Sequence, residues 1–315
     1  MNKAGKIWKA PRPLLALILI SRPLNSFLSG FAVVIGAIAA ISENQLPLDQ
    51  SQLVGIVLGY FATSVIAIGG YAINDVFDIE IDKINAPHRP LPSGLMTESQ
   101  AKRFSILLFV VGVFIPLLNI YEAFLINLQA SIIALIGGIL LYLYAIYFKR
   151  SGFTGNVMIG VLTAIPFIYG GFLTRSYETI LFPALFSFLI IVGREVIKDI
   201  EDVHGDQLKD VQSIALKYGV KPARNLGFFI LFLLIILDPL PIFVWDYYTN
   251  PLFILIIFVI DIIIFYCAYL CFNKSEEEII KNSTPSKKLL KGCITLGVIG
   301  FLIEGVMKLL AFYLQ

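Results

Sequence analysis

The chain has little of what a soluble domain displays to water. Only 15% of its 315 residues are charged while 58% are hydrophobic, a balance that excludes an ordinary water-facing globule. Two histidines and three cysteines are too few for a zinc centre or a disulfide framework. Cys267 and Cys271 stand one helical turn apart and Cys293 lies further on, so all three read as small apolar fillers. A net charge of +2 without a basic block gives nucleic acid nothing to grip.

Long apolar runs fill the space instead. A helical membrane span needs about 20 apolar residues, and nine segments qualify, near 13–41, 52–74, 103–121, 126–148, 155–174, 178–197, 225–244, 250–272 and 289–312. The expected fold is all-α: a polytopic membrane protein with nine transmembrane helices in a bundle around a central cavity, under cytoplasmic cap loops. With the N-terminus in the cytoplasm, every Lys and Arg except Arg22, Arg175 and Lys308 falls inside, as the positive-inside bias requires. The first apolar segment is long, carries Arg22 and Asn25 and lacks a small-residue cleavage site. It therefore reads as a retained span in the cell membrane, not a signal peptide.

Two acidic stretches repeat one spacing. Asp75, Asp78 and Asp82 in NDVFDIEID follow the second span, and Asp199, Asp202 and Asp206 in KDIEDVHGD follow the sixth. Positions i, i+3 and i+7 share a helix face, so each stretch is expected to aim three carboxylates in one direction at the cytoplasmic end of its span. Such crowded charges repel unless cations sit between them. Hard oxygen donors favour Mg²⁺, which completes its shell with water and phosphate oxygens, so the implied substrate is a phosphate or diphosphate ester. Because Asp75 aligns with Asp199, the chain reads as one domain, 1–315, of two related halves (about 13–148 and 155–272) plus a ninth helix at about 289–312.

Basic groups stand at the same level. Arg22 and Asn25 in SRPLNSF can hold a phosphate; alternatively, Arg22 snorkels to the headgroups and Asn25 bonds a neighbouring helix. Arg89 lies in APHRPLPSG, where Pro87, Pro90 and Pro92 stop the helix and Thr97 with Gln100 restarts one; a guanidinium fixed there can clamp a phosphate. Lys149 and Arg150 end the fourth span. A second loop offers the helical piece SIALKYG, stopped by Gly219. The two loops are either a lid or ordinary connectors. His88 and His204 read as hydrogen-bonding neighbours of the acidic stretches. Tyr142, Tyr144, Tyr147, Phe167, Tyr169 and Phe172 face lipid, fill helix contacts, or line a pocket whose aromatic faces stabilise a carbocation.

Taken together, NDxxDxxxD after the second span and the second aspartate motif after the sixth resemble the UbiA superfamily of intramembrane prenyltransferases across nearly the whole chain. Within it, RPxN in the first span, HRPLPSG, FKRSGFTGN and GREVIKDIEDVHGD look like the archaeal geranylgeranylglyceryl phosphate geranylgeranyltransferases. The resemblance implies two Mg²⁺ ions, one on Asn74, Asp75, Asp78 and Asp82 and one on Asp199, Asp202 and Asp206. It implies that Arg22, Asn25, Arg89 and Lys149 hold the diphosphate of geranylgeranyl diphosphate. The acceptor is then geranylgeranylglyceryl phosphate, for whose phosphate Arg194 and Lys198 are available, although both also read as exposed loop charges. The family's Tyr-x-x-x-Lys pattern is not met before Lys149, since position 145 is Ala. The general base and the oligomeric state are left unassigned. Two rival functions stay open: prenylation of an aromatic or quinone-precursor acceptor, and an ion-coupled transporter, which places its charges near the membrane midplane.

Overall fold

The computed structural model describes residues 12–44, 49–174, 179–203, 212–244 and 248–314. Every regular element among them is helical. The first expected span is two helices, α1 (Arg12–Ser21) and α2 (Pro23–Asn44). They part at Arg22, whose φ of +44° is a left-handed conformation rare outside glycine. Pro23 is the cause: it lacks an N–H and disfavours helical backbone at the residue before it. Helix α3 (Gln50–Phe77) stops at Asp78, and α4 (Ile79–Asn85) follows. A Thr97–Gln100 capping box starts α5 (Glu98–Phe114), as expected. Then come α6 (Phe124–Ile146), α7 (Phe153–Thr174), α8 (Leu181–Glu201), α9 (Ile214–Tyr218), α10 (Val220–Leu237), α11 (Leu240–Val244), α12 (Pro251–Cys271) and α13 (Glu276–Tyr313). Gly219, at φ +97°, ends α9 as the sequence suggests.

Among the described residues, eight helices are long and apolar enough to cross a membrane, where nine were expected. The sixth expected span is α8. It has the length, but Arg194, Glu195, Lys198, Asp199 and Glu201 crowd its last eight residues. The last helix begins at Glu276 and not near 289, because a Ser275–Glu278 capping box nucleates it in polar sequence.

Helix α12 explains how lipid and core are sorted. Phe253, Ile257, Ile260, Ile264, Cys267 and Cys271 recur every three or four residues and are buried, while Leu252, Leu255, Phe258, Ile262, Phe265 and Tyr269 form the opposite, exposed stripe. Helices α2 and α7 approach through glycines: a Cβ on Gly36 would lie 2.1 Å from the Phe167 carbonyl oxygen, and one on Gly170 2.1 Å from that of Val33. The three cysteines are free and buried, the apolar fillers expected.

Two cores matter for the site. The larger joins α8, α10, α12 and α13 through aromatic side chains such as Phe182, Phe186, Tyr248 and Phe301, packed edge to face. The smaller lies under the first acidic stretch, where Leu91 and Met96 pack with Ile20, Ile73 and Val76. The loop that carries Arg89 is thereby seated on α1 and α3.

Candidate diphosphate and metal site

Three chain segments meet at Asp75, Asp78 and Asp82. Arg22, at the α1–α2 break, pairs with Asp75 and stacks its guanidinium 5.1 Å from the centre of the Tyr71 ring. Arg89 reaches Asp82 at 2.5 Å and Asp75 at 3.5 Å. Lys149, in the short turn Phe148–Arg150 after α6, pairs with Asp78. Asn25 lies one turn into α2, half-buried, its N–H bonded to the Arg22 carbonyl.

The layering is informative. The side chains of Asp75 and Asp82 are 2% and 6% exposed, whereas those of Arg22, Arg89 and Lys149 are 30%, 32% and 32% exposed. Carboxylates form the floor and cations the accessible surface, so an incoming anion meets positive charge first. Burial draws the Lys149 ammonium below the ordinary lysine range, against the pull of Asp78. For Arg89, burial acts the same way but is outweighed. The hydrogen bond to Asp82 and the charges of Asp75, Asp82 and Asp78 hold that guanidinium above its ordinary value.

The helix is interrupted at Asp78 (φ −97°, ψ 1°), yet the Asp78 N–H still donates to the Asn74 carbonyl and the Asp82 N–H to that of Asp78. Asp75 and Asp82 share Arg89 while Asp78 pairs with Lys149. No group of three or more acidic, His or Cys side chains able to hold a metal ion comes together among the described residues. The donor chemistry still fits a hard cation. Asn74 Oδ1 is buried without a hydrogen-bond partner beside the carboxylates, and such an orphan oxygen is costly unless something fills it.

The second stretch is built differently. Asp199 accepts a hydrogen bond from Asn156 Nδ2 of α7 at 2.8 Å, and Asp202 caps α8. Asp206 lies outside the described residues, as does His204; His88 is exposed. Arg194 and Lys198 are not loop charges but belong to α8, where both pair with Glu195, Lys198 at 3.1 Å. Tyr144 of α6 lies within electrostatic reach of Glu195, Lys198, Asp199 and Asp78, which ties the two stretches together at one end of the bundle. The backbone does so too, through the Gln212 N–H on the Arg150 carbonyl at 3.2 Å. Glu195, Asn156 and Tyr71 were missed from sequence. Asn156 sits in the FTGN run beside Lys149, and Glu195 between the two basic residues, so adjacency was the signal for both.

Comparison with known proteins adds an independent line. The UbiA prenyltransferase family model matches residues 29–289. The digeranylgeranylglyceryl phosphate synthase of Saccharolobus solfataricus is 35% identical over 255 residues, 80% of this chain and 85% of that protein. That of Thermococcus gammatolerans is 33% identical over 296 residues, 93% and 99% of the two chains. A solved digeranylgeranylglyceryl phosphate synthase structure superposes with a TM-score of 0.72 at 31% identity, covering 94% of this chain and 99% of that one. A UbiA homologue from Archaeoglobus fulgidus, solved with GPP and Mg²⁺, shares the fold at TM-score 0.63 and 15% identity, over 91% and 99% of the chains.

Proposed function

The chain belongs to the UbiA prenyltransferase family, and from that premise we propose that it transfers a geranylgeranyl group from geranylgeranyl diphosphate to the hydroxyl of geranylgeranylglyceryl phosphate, in archaeal ether-lipid synthesis. The observation that carries this reading is the shell of Arg22, Arg89 and Lys149 over Asp75, Asp78 and Asp82. Such a site is made for an anion that arrives with its own cations. The like-named activity of relatives that align over most of the chain supports the choice of substrates. We place Mg²⁺ on Asn74, Asp75, Asp78 and Asp82, and a second ion on Asp199, Asp202 and Asp206. Bound there, the ions supply positive charge to the diphosphate as it leaves.

The protein's own groups do the rest. Arg22, Arg89 and Lys149 exchange carboxylate partners for diphosphate oxygens and offset charge that grows as the allylic carbon–oxygen bond breaks. The acceptor hydroxyl forms the new ether bond at that carbon and gives up its proton. Tyr144, between the two acidic stretches, helps to keep bulk water from the allylic cation. Arg194 and Lys198 take the acceptor's phosphate in competition with Glu195. In this reading α8 also crosses the membrane and completes the nine spans, the acidic ends face the cytoplasm, and 1–315 is one domain of two related halves.

One assay tests the whole. Purified protein with Mg²⁺ and radiolabelled geranylgeranyl diphosphate is offered geranylgeranylglyceryl phosphate and 4-hydroxybenzoate in parallel. The expected product is the diether phosphate, lost in EDTA; preference for the aromatic acid overturns the acceptor and keeps the prenyl transfer.

A further inference from the structure

The last helix is more than an extra span. Pro285 lies inside α13 and has no N–H for the carbonyl of Lys281, four residues before it. Polar side chains crowd that point and reach both neighbours. Asn282 Nδ2 donates to the Leu270 carbonyl of α12 at 2.6 Å, and Cys271 Sγ sits 3.8 Å from Ser286 Oγ. Towards α8, Thr284 Oγ1 donates to Glu201 Oε1 at 2.9 Å and Lys287 pairs with Glu201 Oε2.

Glu201 stands between Asp199 and Asp202 in the second acidic stretch. At about 100° per residue, it points about 200° away from Asp199. The contacts agree with that geometry, since Asp199 is held by Asn156 from α7 and Glu201 by Thr284 and Lys287 from α13. The final turn of α8 is thus gripped from opposite sides. One grip allows a helix end to roll about its axis; two opposed grips do not.

We propose that Glu201 is a positioning residue. Held by Lys287 and Thr284 on either side of Pro285, it sets the rotation of the α8 terminus and so the direction in which Asp199 and Asp202 present their carboxylates to a divalent cation. This rests on the reading of the second stretch as a metal site. Glu201 itself touches neither metal nor substrate.

The test is a charge swap on the full chain in nanodiscs, with Mn²⁺ binding followed by electron paramagnetic resonance beside a non-reactive thiodiphosphate analogue of the donor. Glu201→Lys and Lys287→Glu alone should each weaken Mn²⁺ binding about tenfold, and the double swap should recover to within about threefold of wild type, the signature of a coupled pair. The Mg²⁺ concentration for half-maximal turnover should move in parallel, with a smaller change in kcat at saturating Mg²⁺. Single variants that melt at lower temperature yet bind Mn²⁺ like wild type overturn the proposal and leave a packing contact. If the charge reversals do not accumulate in membranes, Glu201→Gln and Thr284→Val remove one contact each, and unchanged Mn²⁺ binding there overturns it equally. A wild type that binds no Mn²⁺ sinks the metal reading, and the clamp with it.

Discussion

The two acidic stretches share a spacing and a helix end at the middle aspartate, and differ in the side chains that hold their carboxylates. In the first, the helix breaks at its middle aspartate, and each carboxylate is covered by a cation from a distant part of the chain: Arg22, Arg89 or Lys149. In the second, the helix ends at the same point, with Asp202 its C-cap as Asp78 is that of α3. There a neutral amide, that of Asn156, donates to Asp199, and the nearby cations Arg194 and Lys198 are held by Glu195 of the same helix. Spacing alone therefore does not define a metal site. What covers the carboxylates decides how charge is balanced before substrate arrives. The first stretch is charge-compensated by groups suited to move onto a diphosphate; beside the second, Arg194 and Lys198 are engaged by Glu195.

The largest effect should break both sides alike. Asp78→Ala and Asp202→Ala are each expected to lower turnover by about a hundredfold or more, the few kcal/mol at stake in stabilising transition-state charge. Asp206→Ala should match them. The comparison sharpens in thermal melting. Asp78→Ala leaves the half-buried Lys149 without its partner and should also lower the melting temperature, whereas Asp202→Ala, whose side chain is half-buried at the end of α8, should leave it nearly unchanged. Equal melting shifts would mean that the two sites are electrostatically equivalent after all.

Next in size are the covering cations. Arg89→Ala and Lys149→Ala should raise the KM for geranylgeranyl diphosphate roughly tenfold or more whichever acceptor is supplied, at about 1.5–3 kcal/mol per hydrogen bond to a charged group. Arg89→Lys should rescue only in part, since a point charge cannot bridge Asp75 and Asp82 as the fork does. An unchanged donor KM would make these cations mere counter-ions of the aspartates.

Much of this was legible in the sequence. The length of the apolar runs located the spanning helices, and local chemistry located the Thr97 cap and the Gly219 stop. The break at Arg22 was written in Pro23, but a long apolar run hid it. Three-dimensional pairing was not legible. Nothing local says that Arg22 finds Asp75 across 53 positions or that Lys149 finds Asp78 across 71. The spacing of Asp75, Asp78 and Asp82 marked the carboxylates but not which cation each would meet, Arg89 for Asp75 and Asp82 and Lys149 for Asp78. Arg194 and Lys198 read as loop charges because Glu195, between them, was not weighed as their partner.

A smaller effect should fall on the acceptor side. Arg194→Gln with Lys198→Gln is expected to raise the KM for geranylgeranylglyceryl phosphate by about five- to tenfold and leave donor KM intact. The change stays below the full value of two charge-assisted contacts because Glu195 already competes for both cations. Donor and acceptor KM rising together would dissolve the division of labour between the stretches.

The smallest effect tests the tether that marks the second stretch as different. Asn156 is a buried amide whose N–H₂ group aims the Asp199 carboxylate without cancelling its charge. A hydrogen bond to a charged group is worth about 1.5–3 kcal/mol, and only the part of it specific to the transition state lowers kcat, so Asn156→Ala should lower kcat about fivefold, with donor KM almost unchanged. Asn156→Lys would instead bring a further cation to Asp199. If that added charge competes with Mg²⁺, the variant should raise the Mg²⁺ requirement well beyond what Asn156→Ala does. If both substitutions act equally, the amide serves only to fill space between α7 and α8.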